Sequence, residues 1–335
     1  MSIILTCNAG SSNTKLAAFD INTLERKGHA VTHTMAETIE WLCAIGTLDI
    51  SVIGHRVVHG GQSFTHPEIL TPDVVEKLKS YTPLAPLHQP ASLRLIAEAQ
   101  KLYPKVKHIA CFDTAFHSAM PAIERRLPLP RALHDEGIQR YGFHGLSYQH
   151  VANVLPEIVG KKAHGRVVVA HLGGGSSACA IKDLKSVAST MGFSTLEGLM
   201  MGTRSGTLDA GVVLHLLKEK KMSAADVSQL LYQESGLKGV SGISGELREL
   251  MTSTQPAAHE AVDLYCYLAA KQIAGLLPAI GGLDVLVFTG GIGENNPEIC
   301  ERITGALRWA SDFSVHVIPA GEERVIAQAC QTLMK

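Results

Sequence analysis

Three loops rich in glycine, each following an apolar run, have residue types that can hold an anion. They are residues 8–14 (NAGSSNT), 173–177 (GGGSS) and 290–294 (GGIGE). Glycine lets the backbone approach a ligand closely, and successive N–H groups can then converge on one anion. A single loop of this kind is typical of an ordinary turn, but three in one chain favour a polyphosphate ligand.

Two common phosphate-binding patterns are absent from these loops. No stretch matches GxxxxGK[ST], so the chain is not a P-loop enzyme. The GGGSS loop does not fit the pattern GxGxxG followed, at the usual distance, by an acidic residue that binds the ribose. This argues against a dinucleotide-binding domain. Phosphates would instead be held by hairpins built from a strand, a turn and a second strand.

Two arginines stand in settings that suit anion binding. Arg56 lies in GHRVVHGG, inside an otherwise apolar run. It could be ion-paired at a sheet edge, or it could point its planar fork at a carboxylate or phosphate. Arg204 lies in MGTRSGTLDAG, where small residues leave room for an anion. The residues alone leave these alternatives open for both arginines.

A carboxylate and an imidazole are further candidates. Asp113 ends an apolar run in ACFDTAFH, near His117. A carboxylate at a strand end of an α/β protein often faces a ligand, although an aspartate there can also cap the next turn. His144 lies between Phe143 and Gly145 on an irregular segment, which favours a functional role over core packing. No His/Cys group has zinc spacing, so no transition-metal site is predicted.

Bulk composition limits the class of protein. The 335 residues suffice for two domains, and 46% hydrophobic with 18% charged residues indicates a globular chain. A net charge of −1 provides no general attraction to nucleic acid or to an anionic membrane. The start lacks a basic-then-apolar leader, and the apolar runs are too short to span a bilayer. Seven cysteines without a CxxC pair favour reduced thiols in the cytoplasm.

The elements that must position these residues alternate between strands and helices along the chain. Apolar runs predict strands at residues 3–7, 16–19, 52–58, 108–112, 166–171, 177–181, 285–289 and 315–318. Helical spacing predicts helices at residues 72–79, 92–102, 146–155, 208–218, 224–233, 257–277, 297–309 and from about 322. This mixture indicates an α/β protein. CNAGSSNTKLAAF and HLGGGSSACAI share one layout, which is a sign of a duplicated domain.

The motifs taken together resemble those of the acetate kinase family. In the family's order they are CNAGSSNTK, GHRVVHGG, APLHQP, ACFDTAFH, RYGFHG, HLGGGSS, MGFSTLEGLMMGTRSG, GVSGISGELREL and FTGGIGENNPEI. The resemblance covers nearly the whole chain. It implies two ribonuclease-H-like domains of the actin-type ATPase class, with ATP in an interdomain cleft. The implied domains are residues 1–117 plus 322–335, and residues 118–321, which would bind the nucleotide and form a homodimer.

The resemblance also implies roles for individual residues. Arg56 and Arg204 would bind the substrate carboxylate and the transferring phosphoryl group. His144 would donate a hydrogen bond in the transition state, and Asp113 would be the essential acidic residue. The apolar pocket walls would be Val58 and Leu87, and the Mg²⁺-linked residues Asn8 and Glu322. The implied ATP/ADP contacts are Lys15, His171, Gly173, Gly175, Glu246, Arg248, Gly290, Gly291, Gly293 and Glu294.

These roles make physical sense for phosphoryl transfer to a carboxylate. The reaction needs alignment and neutralised charge more than covalent help, so two guanidinium groups and Mg²⁺ would offset the repulsion between two anions. A substrate carboxylate with a pKa of about 4.3 has already lost its proton at pH 7. Asp113 is therefore expected to orient Mg²⁺ or its bound water rather than act as a base.

Some positions depart from the family's pattern and keep alternatives open. HLGGG replaces HLGNG at Gly174, and Thr195 stands where GFTPLEG has a proline. A hydroxyl there could alter the choice of acyl chain. The implied activity is an acetate kinase that makes acetyl phosphate and ADP reversibly. The alternatives are a propionate or butyrate kinase, or a non-catalytic nucleotide-binding module. The expected partners are a small carboxylate, a nucleotide and a second copy, with no nucleic acid or membrane.

Overall fold

A computed structural model of the protein describes residues 2–10, 13–46, 48–86, 88–310 and 312–335. The chain forms two compact units. The first unit comprises Met1–Ser118, Phe143–His150 and Gly321–Lys335, and the second comprises Ala119–Gly142 and Val151–Ala320. The segment Phe143–His150, assigned from sequence to the C-terminal domain, thus belongs to the first unit. There the Gly145 amide donates to the Asp113 carbonyl at 3.0 Å. The functional domain boundaries stay a prediction.

The strands and helices follow the order expected from the sequence, with additions. The strands are β1 (Ser2–Ala9), β2 (Thr14–Asp20), β3 (Arg26–Thr32), β4 (Asp49–Val57), β5 (Glu68–Ile69), β6 (Lys107–Phe112), β7 (Val167–His171), β8 (Ser177–Lys182), β9 (Lys185–Ser189), β10 (Val285–Thr289) and β11 (Ser314–Val317). The α-helices are α1 (Met35–Ile45), α2 (Pro72–Ser80), α3 (Gln89–Leu102), α4 (Ala122–Arg125), α5 (Arg131–Asp135), α6 (Gly145–Val159), α7 (Ala210–Lys218), α8 (Ala224–Gln233), α9 (Gly236–Ser241), α10 (Leu247–Thr252), α11 (Pro256–Ile280), α12 (Gly290–Asn295), α13 (Pro297–Leu307) and α14 (Glu322–Leu333).

The first unit is built on a six-stranded sheet with the order β3-β2-β1-β4-β6-β5. Strands β1, β2 and β3 pair antiparallel, while β1, β4 and β6 pair parallel. Strand β4 therefore lies inside the sheet, where it aligns Arg56 with Cys111 of β6. Of the two alternatives left open for Arg56, a position at a sheet edge is excluded, because β1 and β6 lie on either side of β4.

The second unit repeats this arrangement in a five-stranded sheet of order β11-β10-β7-β8-β9. Strands β7, β8 and β9 pair antiparallel, and β10 and β11 extend the sheet in parallel from β7. Each sheet thus begins with an antiparallel meander whose first strand continues into parallel neighbours. This shared order agrees with the duplication suggested by the two Gly/Ser hairpins and with the predicted pair of ribonuclease-H-like folds.

Each sheet is covered by a long helix. In the first unit α14 packs on β4, and its Val325, Ile326 and Cys330 lie in the core. In the second unit α11 presents Ala261, Tyr265 and Ile273 to the core over β7 and β8. Among the described residues, no helix combines the length and the apolar character that crossing a membrane requires.

Several elements were missed or differ from the expectation. Strand β3 is the polar edge strand RKGHAVT, whose exposed charges hide its pairing with β2. Helix α1 begins after Thr34, whose hydroxyl accepts a hydrogen bond from the Glu37 amide. Residues 290–294, expected as a loop, form the short helix α12. Its Ile292 amide donates to the Leu172 carbonyl at 2.8 Å. The Leu172 carbonyl, which directly follows the neighbouring strand β7, thus accepts a hydrogen bond from the first turn of α12.

Candidate active site

A buried polar cluster of the first unit gathers residues from β1, β4, the end of β6 and the start of α14. Arg56 is at its centre. Its Nε donates to both carboxylate oxygens of Asp113 at 3.0–3.1 Å, and its Nη2 donates to Asp113 Oδ2 at 2.6 Å. Its Nη1 donates to Asn8 Oδ1 at 3.1 Å. Asp113 is completely buried. Asn8, Arg56 and Asp113, which were predicted as site residues, are thus joined through Arg56 in this unit, and their roles in the reaction stay a prediction.

Burial and ion pairing act against each other in this pair. Burial disfavours the charged guanidinium, but Asp113 and Glu322 outweigh that effect and raise the pKa of Arg56 above its ordinary value. Burial also raises the pKa of the Asp113 carboxyl, and the charge and hydrogen bonds of Arg56 oppose that rise. Arg56 is consequently a permanent cation, and Asp113 depends on it to hold a negative charge.

Asn8 connects this ion pair to the first turn of α14. Its Nδ2 donates to Glu322 Oε2 at 2.7 Å and to Glu323 Oε1 at 2.6 Å. Glu322 is buried and lies 3.7 Å from Arg56 Nη1. Sequence reasoning missed Glu323. The doublet Glu322-Glu323 at a helix start was the signal for it, since acidic side chains favour helix N-termini.

His144 lies at the start of α6 in an unusual backbone conformation. Its φ is +57°, in the left-handed region that non-glycine residues rarely adopt. The next residue approaches β6 closely, because a Cβ on Gly145 would lie 2.0 Å from the Asp113 carbonyl oxygen. His144 is half-buried, and its carbonyl accepts from the Tyr148 amide. The backbone therefore holds His144 at a fixed position beside Asp113, the residue that follows β6.

The other first-unit candidates have varied surroundings. Lys15 is exposed on β2 and pairs directly across from Asn8. Val58 is buried just after β4. Leu87 lies outside the described residues, so its predicted place in the pocket wall stays a prediction, as do the roles of Ser11 and Ser12 in the first loop.

In the second unit, two glycine segments meet at the ends of neighbouring parallel strands. His171 of β7 pairs with Thr289 of β10, and the glycine segments follow directly. Gly290 has a φ of +80°, and a Cβ there would lie 2.7 Å from the Leu172 carbonyl oxygen and 3.1 Å from His171 Nε2. Only glycine permits this approach. His171, Gly173, Gly175, Gly290, Gly291 and Gly293, which were predicted to contact the nucleotide, thus lie around one edge of one sheet.

Arg204 is buried in the second unit and held by backbone. Its Nη1 donates to the Thr195 carbonyl oxygen at 3.1 Å. The segment that carries Thr195 is anchored in turn by Arg140, which donates to the Ser189 carbonyl and to Glu197. Sequence reasoning gave Arg140 and Glu197 no role, although both lie in quoted motifs, RYGFHG and MGFSTLEG, because their contact depends on the fold.

The remaining nucleotide candidates separate into exposed and structural residues. Glu246 and Arg248 are exposed at the start of α10. Glu294 uses its Oε1 to accept from the amides of Gly290 at 3.0 Å and Ala320 at 2.9 Å. Glu294 therefore fixes the turn around the glycines, a structural task that its place in GGIGE did not reveal.

The first-unit cluster has oxygen donors and excess negative charge. Three carboxylates surround one guanidinium, and Glu322 and Glu323 offer the hard oxygen ligands that Mg²⁺ prefers, while the side-chain oxygen of Asn8 faces Arg56. The described residues contain no group of three or more His, Cys, Asp or Glu arranged to enclose a metal. Mg²⁺ commonly binds through one or two carboxylates plus substrate phosphates, so these residues fit such a partial site.

Comparison with known proteins gives consistent matches. The family described as the Acetokinase family matches residues 22–327. An acetate kinase of Rhodopseudomonas palustris (strain TIE-1) is 44% identical over 344 residues, which cover 92% of this chain and 86% of that protein. A solved acetate kinase of Porphyromonas gingivalis superimposes with a TM-score of 0.86 at 31% identity and covers 100% of both chains.

A solved propionate kinase of Francisella tularensis subsp. tularensis SCHU S4 has a TM-score of 0.89 at 32% identity, covering 98% of this chain and 99% of that one. These likenesses extend over whole chains and confirm the predicted α/β fold of two actin-type ATPase domains. Together with the match over residues 22–327, they show that the chain belongs to the acetokinase family.

Proposed function

We propose that this protein is a kinase that transfers a phosphoryl group reversibly between ATP and acetate, giving acetyl phosphate and ADP. The family membership and relatives named acetate kinase support this activity. The observation that carries the proposal is the buried cluster of Asn8, Arg56, Asp113 and Glu322. A permanent cation inside a sheet, held by a carboxylate and an amide, suits the binding of an anionic substrate.

Arg56 has the capacity to bind a carboxylate while keeping its present partners. Its bonds to Asp113 and Asn8 use the Nε hydrogen and one hydrogen on each terminal nitrogen. A guanidinium carries two hydrogens on each terminal nitrogen, so one on each is used by neither Asp113 nor Asn8, although Glu322 Oε2 lies 3.7 Å from Nη1. We propose that these two bind the substrate carboxylate or the transferring phosphoryl oxygens, with Val58 and Leu87 beside the substrate's methyl group.

The charge balance of the cluster supports a role for Mg²⁺ as the companion of ATP. Asn8 and Glu322 would hold the ion, and Glu323 offers a further carboxylate. Bound there, Mg²⁺ would neutralise charge on the phosphates. Asp113 would orient the Mg²⁺ ion or its bound water, and it keeps Arg56 in place through their hydrogen bonds. The substrate carboxylate is already ionised at pH 7, so the step needs no base.

Arg204 and His144 would complete the charge stabilisation. Arg204 is held by the Thr195 carbonyl and would contact the second anion, and His144 would donate a hydrogen bond to the phosphoryl oxygens in the transition state. Preorganised donors of this kind typically contribute about 10²–10³-fold each to kcat. The nucleotide would bind at the second unit, where the glycine segments after β7 and β10 expose backbone for close approach to phosphates.

A kinase acting on propionate is the second candidate. It is supported by the likeness to a protein named propionate kinase and by Thr195, where the family's pattern has a proline. Thr195 is buried, and its carbonyl accepts a hydrogen bond from Arg204. We propose that its hydroxyl would influence the choice of acyl group. A non-catalytic nucleotide-binding module would have no use for a buried Arg204 and a nearly buried Arg56.

The test is a hydroxamate assay of acyl phosphate formation with ATP and Mg²⁺ across formate, acetate, propionate and butyrate. We expect acetate to give the highest kcat/KM, and omission of Mg²⁺ to abolish the product. A higher kcat/KM for propionate would establish the second candidate. Absence of acyl phosphate from all four acids, with folded protein, would refute the enzyme assignment.

We also propose that the protein works as a homodimer in the cytoplasm. Helix α7 has no buried residue, and its Val212 and Leu214 are exposed together with the preceding Leu208, as expected of a surface that a second copy covers. All seven cysteines are free thiols, and six of them are buried, which suits a reducing compartment. Sedimentation of the purified protein would report the oligomeric state.

A further inference from the structure

The backbone at His144 is anchored on both sides. The carbonyl of Phe143 lies 2.9 Å from Nε2 of His117, and because a carbonyl can only accept, His117 is the donor. On the other side the Gly145 amide donates to the Asp113 carbonyl at 3.0 Å. These two bonds fix the peptide groups directly before and after His144. All four partners belong to the first unit.

The anchored residue is in a conformation that it would not adopt by itself. At a φ of +57° a side chain crowds its own backbone, so His144 would relax if a neighbouring peptide were released. Gly145 has little room to move with it, because its backbone packs closely against Asp113. A Cβ added to Gly145 would overlap the Asp113 carbonyl oxygen. Of the two bonds that anchor His144, the bond to the Gly145 amide is between backbone groups. Only the bond to the Phe143 carbonyl depends on a side chain, that of His117.

His117 is suited to hold that carbonyl rigidly. It is buried on the short helical turn Ala115–Ala119 that follows Asp113, with ring contacts to Phe116 and Tyr148 at centroid distances of 5.9 and 5.6 Å. Burial lowers its pKa to about 4, so it is neutral at pH 7 and its ring carries one N–H hydrogen. The bond to Phe143 places that hydrogen on Nε2.

We propose that His117 is a positioning residue that holds His144 in its left-handed conformation through the hydrogen bond from Nε2 to the Phe143 carbonyl. The proposal rests on the proposed function, since it takes His144 as the donor in phosphoryl transfer. Displacement of a catalytic group by about 1 Å can cost on the order of 10²-fold in rate. Loss of the bond should therefore lower kcat and leave substrate binding nearly intact.

The experiment compares two variants of similar bulk in the full-length protein. His117→Gln keeps an amide N–H near the place of Nε2, whereas His117→Leu fills the space without a donor. We expect His117→Leu to lower kcat about 10–100-fold with KM values for ATP and acetate within about 2-fold, and His117→Gln to recover most of kcat. His108→Leu, at a buried histidine that pairs with His55 rather than with the Phe143 carbonyl, is the matched control. It should lower the melting temperature without lowering kcat.

A double-mutant cycle separates this proposal from the proposed function. If His117 acts through His144, then His117→Leu in a His144→Ala background should cause no further loss of kcat. Additive losses, equal kcat for the Leu and Gln variants when both are folded, or an unchanged kcat in His117→Leu would overturn the positioning role. An unchanged kcat in His144→Ala alone would instead refute the role of His144 in the proposed function. Thermal melts of each variant confirm that the assays compare folded protein.

Discussion

The guanidinium of Arg56 and the carboxylate of Asp113 lie in a sheet interior where either charge alone would be strongly disfavoured. Their direct pairing, with Asn8 as a third partner, lets both remain charged. Removing one partner of a buried pair leaves an uncompensated charge, which is more damaging than losing a pair at the surface. The cluster thus combines a structural and a functional requirement in the same side chains.

We predict that Asp113→Asn lowers kcat on the order of 10²–10³-fold and changes the dependence of the rate on Mg²⁺. The amide keeps the shape of the side chain but removes the charge that holds Arg56. Initial rates at varied Mg²⁺ concentration, measured by the hydroxamate assay, provide the check. A rate that keeps the wild-type Mg²⁺ dependence would contradict the orienting role given to Asp113.

Asp284 offers a matched control for this substitution. It pairs with Arg166 in the second unit through Nε at 3.0 Å and Nη2 at 2.5 Å, much as Asp113 pairs with Arg56. The pair is partly exposed and lies at the start of β10, away from the glycine segments at the strand ends. Asp284→Asn should therefore change kcat by less than about 2-fold, since exposed ion pairs contribute little.

At the scale of elements, the packing of α14 on β4 connects the core of the first unit to its polar cluster. Gly54 of β4 lies directly under the helix. A Cβ there would be 2.4 Å from Ile326 Cγ2 and 2.6 Å from Cys330 Sγ. The first turn of the same helix carries Glu322 and Glu323. The absence of a side chain at Gly54 therefore allows the helix to approach closely enough for both glutamates to reach Asn8.

We predict that Gly54→Ala destabilises the protein by about 1–3 kcal/mol, as is usual when a core is overpacked, and lowers kcat as well. The added methyl group pushes α14 away from the sheet, and the glutamates move with it. Chemical denaturation measures the stability, and the hydroxamate assay measures kcat. Wild-type stability in this variant would show that the contact can relax without cost.

Gly275 provides the control for a glycine that faces open space. It lies within α11, and a Cβ added there meets no atom within 4 Å. Gly275→Ala should stabilise the protein by about 0.5–1 kcal/mol, because alanine favours a helix interior over glycine. Its kcat should equal that of the wild type. The two substitutions thus add the same methyl group with opposite expected signs.

For the molecule as a whole, the buried histidines are concentrated in one unit. Burial lowers the pKa of His59 and of His117 to about 4, and burial together with the nearby His108 lowers that of His55 well below its usual range. All lie in the first unit, whereas no histidine in the described part of the second unit is buried. The two units share a topology but should respond differently to acid.

We predict that stability falls as the pH drops from about 6.5 towards 4.5, beginning in the first unit. The unfolded chain binds protons on these histidines below a pKa of about 6.5. In the folded chain His59 and His117 do so only near their pKa of about 4, and burial keeps the pKa of His55 well below its usual range. Each such histidine contributes up to about 1.4 kcal/mol per pH unit in this window. Denaturation curves at stepped pH, with hydrogen exchange to locate the opening, measure the effect.

His59→Asn tests the origin of this pH dependence. Nδ1 of His59 accepts from the Gly61 amide at 2.9 Å, and the asparagine side-chain oxygen can take over that acceptor role without titrating. The slope of the free energy of unfolding against pH should become shallower by the contribution of one histidine. An unchanged slope would mean that His59 does not contribute, and a uniform acid response of both units would contradict the assignment to the first.

Residue types and their order along the chain were sufficient to determine the α/β class, the positions of most strands and helices, and a set of candidate site residues. Apolar runs mark strands because buried strands need apolar side chains, and glycines after them mark places of close backbone approach. The sites of Arg56, Asp113 and Asn8 at or near strand ends could be read in this way. The polar edge strand β3 could not, since its exposed charges carry no strand signal.

Only the tertiary structure decided which of these residues meet. Asn8 reaches Glu322 across 314 positions of sequence, and Arg56 reaches Asp113 across 57. Such contacts depend on strand order and register, which an apolar pattern does not specify because a different pairing would bury the same residues. The same reason explains why Glu323 was missed, why His117 was named without a role, and why the sequence left the position of Arg56 in its sheet open. Their importance comes from neighbours that folding brings to them.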